Sequence, residues 1–243
     1  CGVAAVSVYS QMFSLVWIVV LLANLLLTAI CLIILWFERR SLALLLRETL
    51  RDRRGKAAGI FALFLLFAYG TSRGILHYDT ALYHAQSIRW LEEYGVVRGL
   101  GNLHCRLAYN SSSFALSALY SMAFLGGQSF HCAAGWLAFV LAKVCAEITG
   151  HLRAGRLWPS DFARVMGIYY LVNIFDEMIS PASDYFMVLL AFYIVIRWLE
   201  LLEDKEKEML PFGLICVLGV FLMTVKLSAA LILLLVLYPA FYL

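Results

Sequence analysis

Charge is what this sequence has least of. Only 14% of its 243 residues are Asp, Glu, Lys or Arg, against about 25% in globular domains. Too little charge is present to cover a water-facing surface, so no soluble globular fold fits. The net charge of +3 is small, and no basic stretch is interleaved with aromatics as nucleic-acid binding requires. No H-E-x-x-H or H-x-x-E-H spacing exists, so no zinc-protease signature is present. The six cysteines are Cys1, Cys31, Cys105, Cys132, Cys145 and Cys216, and none form a C-x-x-C pair. Most lie in or beside apolar runs and read as small buried hydrophobes; Cys105, in a polar segment, reads as exposed. Alternating strands of the membrane-barrel kind, internal repeats and low-complexity linkers are absent as well.

What fills the chain is apolar. Hydrophobic residues make up 63%, and the mean hydropathy is +0.86. A hydrocarbon layer about 30 Å thick takes roughly 20 apolar residues to cross as a helix. Lipid leaves no partner for backbone polar groups outside the segment, so the runs must be helices. Spans are expected at 12–37, 57–76, 131–148, 164–179, 186–200, 209–225 and 228–243. The run 112–126 is short and suits a re-entrant or interfacial helix. The first run is too long for a signal peptide core and has no basic flank. The chain starts at Cys1 and stops inside an apolar run, which reads as part of a longer protein.

Basic residues orient the bundle. The stretch 38–56 carries Arg39, Arg40, Arg47, Arg51, Arg53, Arg54 and Lys56 and is expected to be a cytoplasmic loop. If 112–126 does not cross, the loops 149–164 and 197–208 join it, with thirteen basic residues inside in all. The segments 77–130 and 176–185 then lie outside. The charge run 200–208 reads as a solvated loop, and Lys143 as an i,i+4 partner of Glu147.

The polar information is concentrated in HYDTALYHAQSIRWLEEYGVVRGLGNLHCRLAYNSSS, residues 77–113. Residues 79–94 are expected to form an amphipathic surface helix. Asp79, Tyr83, Gln86 and Trp90 would share its polar face, and Ala81, Ala85 and Ile88 its apolar side. Gly95, Gly99 and Gly101 would end it in a tight turn. Asp79, where an outward span emerges, suits a general base beside a low-dielectric wall; it equally suits a helix N-cap. His77, His84 and His104 could join it as metal ligands. The second outer segment, DEMISPASDY, brings Asp176, Glu177 and Asp184, either solvated or approaching Asp79 across the bundle. Lys226 interrupts the last apolar stretch; it either snorkels to the surface or holds a phosphate.

The segment YDTALYHAQSIRWLEEYGVVRGLGNLHCRLAYNSSSFALSALYS resembles one in bacterial multi-spanning proteins of the GT-C superfamily. These membrane glycosyltransferases use polyprenyl-phosphate-linked sugars. The specific likeness covers 78–121 and the architectural one 57–243. It implies an all-α polytopic bundle with two juxtamembrane helices, 79–94 and 112–126, in a long first exterior loop. It also implies that Asp79 is the catalytic base and that Asp184 lines the site. The chain departs from the group in having Arg98 for Pro and Cys105 for Gly, in the extra span 12–37, and in lacking the distal part of the fold.

The sequence is therefore read as residues 1–56, an extra span and basic loop, and then a GT-C-like core, 57–243. The expected protein sits in the inner (plasma) membrane, spans it several times, and passes a sugar from a lipid phosphate to an exterior glycan or protein acceptor. Tyr83, His84, Gln86, Arg89, His104, Arg106, Asn110, Asp184 and Lys226 would bind substrate, with Arg73, Arg89, Arg106 and Lys226 as candidates for the leaving phosphate. A divalent metal is compatible with the site and not required. A transporter of lipid-linked sugars and a non-catalytic membrane scaffold are the alternatives; the first lacks the paired broken helices of two repeated halves.

Overall fold

The computed structural model describes residues 1–52, 54–126, 129–205 and 208–242, so Arg53 of the basic stretch and Glu206 and Lys207 of the charge run lie outside the described residues. Every regular element among them is helical. In chain order these are α1 (Gly2–Ser14), α2 (Leu21–Asp52), α3 (Arg54–Ser72), α4 (Ala85–Glu93), α5 (Ser112–Tyr120), α6 (Ala133–Cys145), α7 (Ile148–Arg153), α8 (Pro159–Asn173), α9 (Ser183–Glu203), α10 (Met209–Val225) and α11 (Leu237–Tyr242). A ten-residue 3-10 run, Leu227–Val236, joins α10 to α11.

Four helical stretches are long and apolar enough to cross a membrane: Leu21–Leu45, Gly55–Ser72, Ala133–Arg153 and Ser183–Glu203. These helices are compatible with a membrane protein. The apolar window of Leu21–Leu45 is only 6% buried, and Leu25, Ile33, Trp36 and Phe37 are all exposed. Water would not tolerate that surface at about 25 cal/mol per Å².

Several boundaries differ from expectation. The span expected at 12–37 breaks at Leu15–Val20, because α1 packs on α5 while α2 leaves to lie along α3. The basic stretch is not a loop: α2 stays helical through it to Asp52, as runs of Leu, Arg and Glu favour. The span expected at 164–179 is α8, 15 residues beginning at Pro159 and closed by a 3-10 turn, Phe175–Glu177. The run 112–126 yields α5, nine residues long and buried from Ser112 to Leu119. Cys1, Cys31 and Cys132 are exposed together with Cys105, because apolar helices here turn faces outward. Glu147 pairs with Arg164 and Arg197 instead of Lys143.

The core lies where α6, α8, α9 and α10 meet, around Leu141, Phe186, Leu189, Ile194, Phe212 and Leu222. A smaller core of Val19, Tyr83, Ile88, Phe114 and Leu119 ties α1, α4 and α5 together. Ser10 Oγ donates to Ala115 O across α1 and α5 at 2.5 Å. At Gly135 an added Cβ would lie 1.9 Å from Thr71 Cγ2, so α3 and α6 touch through a glycine.

Candidate functional site

The chain that leaves α3 is held against the loop before α9. Gly74 has φ +136°, and an added Cβ there would lie 2.1 Å from Asp176 O, so only glycine fits. Ile75 N–H donates to Asp176 O at 2.7 Å, and His77 N–H donates to Ser180 Oγ at 2.6 Å. These bonds bring the polar segment beginning at His77 beside DEMISPASDY.

Asp79 then opens a π-turn, Thr80–His84, before α4 begins at Ala85. A π-turn closes i→i+5 and recurs at functional sites. Its extra residue rotates the helix beyond it: Thr80, Tyr83, His84, Ile88 and Glu92 are buried, while Ala81 and Gln86 are exposed. The face expected to be polar is thus partly buried, and of the expected apolar side only Ile88 is fully so. Gly95 (φ 71°) and Gly99 (φ 84°) end the segment as expected of glycine.

The Asp79 side chain makes no capping hydrogen bond. Instead its Oδ1 accepts from Arg106 Nη1, and the guanidinium lies 5.6 Å from the Tyr83 ring centroid. Arg106 sits in the 3-10 turn Cys105–Ala108, whose preceding His104 accepts the Arg106 N–H on Nδ1 at 3.2 Å. His104 therefore places Arg106 and its ring does not enter the cluster.

A second pair faces the first. Asp184, in the first turn of α9, accepts from Lys226 Nζ at the end of α10. Ser111 Oγ donates to Val225 O at 2.7 Å, and Thr224 Oγ1 donates to Ser112 Oγ at 2.9 Å, which fixes the start of α5 beside Lys226. Tyr185 OH donates to Glu177 Oε2.

Between the pairs lie Tyr83 and His84. Tyr83 feels Asp79, Asp184 and Arg106; burial first, then the two carboxylates, pushes its hydroxyl pKa up. His84 has no exposed surface and packs against Tyr83 (4.2 Å), Phe114 (5.7 Å) and His77 (6.2 Å). Burial pulls its pKa down to about 4, against the opposing pull of Asp79 and Asp184. The imidazole is neutral at pH 7. Both His84 nitrogens and Thr80 Oγ1 are buried with no hydrogen-bond partner, at a cost of about 1–3 kcal/mol for each unsatisfied group.

An apolar cavity of about 740 Å³ opens within the bundle, lined by Phe67, Leu116, Leu137, Leu189, Tyr193 and Leu218 among others. Leu116 comes after Ser112, Leu189 after Asp184, and Leu218 before Lys226, each on one helix. At 1.5 Å per residue the cavity begins about 6–12 Å down three separate helices from the polar cluster.

Other candidates lie elsewhere. Arg89 is spent on Glu93 at 2.6 Å, in the open. Gln86 and Asn110 are exposed, and Arg73 stacks 4.7 Å from the Tyr69 ring. Glu92 and Ser129 line a smaller pocket of about 280 Å³ with Arg89 and Glu93. Among the described residues, no three His, Cys, Asp or Glu side chains could hold a metal ion together. Thr80, Ser180 and Tyr185 entered the site unannounced. Tyr185 and Ser180 flank Asp184 in the sequence, which is the one signal that could have drawn notice to them.

The model of the family described as Domain of unknown function (DUF8201) matches residues 1–243, and the chain belongs to that family. No curated protein and no solved structure matches it.

Proposed function

We propose that this DUF8201 member is a GT-C-like membrane glycosyltransferase that moves a sugar from a polyprenyl-phosphate donor to a glycan or protein acceptor outside the plasma (inner) membrane, in cell-envelope glycan synthesis. One observation carries the reading: two carboxylate–cation pairs flank Tyr83 and His84, and the helices that carry Asp184 and Lys226 run on from them to line a large apolar cavity. That arrangement suits an amphiphile, with its phosphate at the cluster and its tail among Phe67, Leu137 and Leu218. The multi-pass topology with 77–130 and 176–185 outside goes with it. The nine-residue α5 spans only about 14 Å, too short to cross alone.

The residues present supply the chemistry. Asp79 takes the proton of an acceptor hydroxyl. The acceptor oxygen attacks the anomeric carbon, and the bond from that carbon to the phosphate oxygen breaks. The lipid phosphate leaves with the electron pair, and Arg106 and Lys226 balance its charge. Tyr83 and the neutral His84 offer hydrogen bonds without adding charge.

Sugar release from a polyprenyl-phosphate sugar, measured on the full-length protein, tests this. Asp79→Asn keeps the size and removes the base, so turnover falls by about 10²–10⁴-fold. Melting in detergent changes little, because no cap bond is lost and the ion pair is partly exposed. Full activity in Asp79→Asn ends the proposal.

A further inference from the structure

Both cations aimed at the cluster are already neutralised. Arg106 is held by Asp79 and Lys226 by Asp184. Both pairs remain reachable: the side chains of Arg106 and Asp79 are 35% and 15% exposed, those of Lys226 and Asp184 38% and 46%. Each cation holds one oxygen of its carboxylate and leaves the other open, but it cannot turn to a new anion without loosening that bond. The base and the cations that the reaction needs are thus tied to each other. The diester phosphate of a lipid-linked sugar carries one negative charge, as a carboxylate does, but offers two unesterified oxygens to two cations at once. The lipid monophosphate that leaves after transfer carries about −1.5 to −2 charges at pH 7 and holds the same cations more strongly.

We propose that a phosphate ester binds by ion-pair exchange: it takes Arg106 from Asp79 and Lys226 from Asp184, and its arrival frees Asp79. This rests on the donor-site reading above and adds its regulation. The carboxylates compete with the ligand for the same cations. Asp79 has both oxygens free for the acceptor hydroxyl once the phosphate has taken Arg106, so donor binding favours acceptor activation. The turn Thr80–His84 carries the buried, unpartnered groups of Thr80 and His84 that a rearranged cluster can satisfy.

The signature is opposite in sign for the two members of each pair. Farnesyl phosphate, farnesol and inorganic phosphate are titrated calorimetrically onto the full-length protein in detergent. The wild type is expected to bind farnesyl phosphate over farnesol. Arg106→Gln and Lys226→Gln should weaken it about 10- to 100-fold, the worth of hydrogen bonds to a charged group. Asp79→Asn and Asp184→Asn should tighten it about 2- to 5-fold, because the cation no longer has to leave a partly exposed pair. The two pairs are independent tests if one variant fails to melt as a folded protein. Weaker or unchanged binding in both Asn variants, with weakened binding in both Gln variants, overturns the exchange and leaves the donor site standing. Equal binding of farnesyl phosphate and farnesol overturns both. Displacement by inorganic phosphate at matching concentration keeps the exchange and removes the lipid as its ligand.

Discussion

The two ends of this bundle handle charge in opposite ways. At one end Asp79, Arg106, Asp184 and Lys226 form simple pairs, partly exposed, beside a buried imidazole with no partner. At the other end Arg164 is 1% exposed and saturated. It donates to Ser160 Oγ and Asp161 Oδ1 at 2.7 Å each, to Glu200, and to Val144 O at 3.4 Å. Its neighbours are saturated too. Glu203 accepts from Ser160 N–H and Oγ at 2.7 Å each, His151 meets Asp161 at 2.9 Å, and Arg197 meets Glu200 at 2.6 Å. This network clamps α6, α7, α8 and α9. The polar atoms named in that network have partners, whereas Thr80 and His84 beside Asp79 hold buried polar atoms with none, as a site that awaits a ligand would.

Arg164 is where the contrast between the two ends should show most strongly. Arg164→Met removes the buried cation that Asp161 and Glu200 share, leaving Asp161 to His151 and Glu200 to Arg197. Losing one member of a buried network typically costs about 3–5 kcal/mol. The melting transition in detergent should fall accordingly, while Asp79-dependent chemistry per folded molecule persists. A loss under about 1 kcal/mol would show that the network does not bear on stability.

Acid separates the two ends. His84 has a pKa of about 4 in the fold, below its ordinary 6.5. Between those values the unfolded chain takes up a proton that the folded one refuses, so stability falls as pH drops from 6.5 towards 4. Asp161 behaves differently. Burial alone would raise its pKa, but the Trp158 N–H, His151 and Arg164 outweigh that and hold it below the ordinary 3.8. Its contribution is complete above 3.8 and is lost only at lower pH. Melting temperature measured against pH should decline first in the His84 window, and His84→Phe should flatten that first decline. An unchanged decline in His84→Phe would move its origin elsewhere.

Hydropathy made the helices legible, because an apolar run of span length has few alternatives. Lys226 stood out as a charge inside an apolar stretch, Asp79 by its place where an outward span emerges, and Asp184 as an acidic residue of the second outer segment. Their pairing was not legible. Asp79 read as a cap or a base and Lys226 as a snorkel or a phosphate ligand, and neither option named a carboxylate partner. Which charge meets which depends on how Gly74 and Ser180 dock two distant loops. The π-turn at Thr80–His84 escaped for another reason: periodicity assumes 3.6 residues per turn, and one inserted residue moves every later side chain. Tyr83, expected on the polar face, is buried, while Gln86 on that face is exposed. At 38–56 positive charge suggested a loop, while helix propensity kept α2 intact.

The smallest expected effect is at Arg89, a cation on the same segment as Asp79 but outside its cluster. The sequence offered it as one partner for the leaving phosphate, by charge alone. In the fold its side chain is 67% exposed and its partner Glu93 42%, at i,i+4 on α4. Exposed pairs of this kind contribute little to stability. Arg89 lines the smaller pocket with Glu92 and Ser129, well along α4 from the π-turn, and not the apolar cavity. Arg89→Ala should therefore leave the melting transition almost where it is. It should also leave farnesyl phosphate binding at the wild-type value, where Arg106→Gln lowers it. A comparable loss in Arg89→Ala would place the phosphate at the α4 pocket and leave the cavity without its ligand.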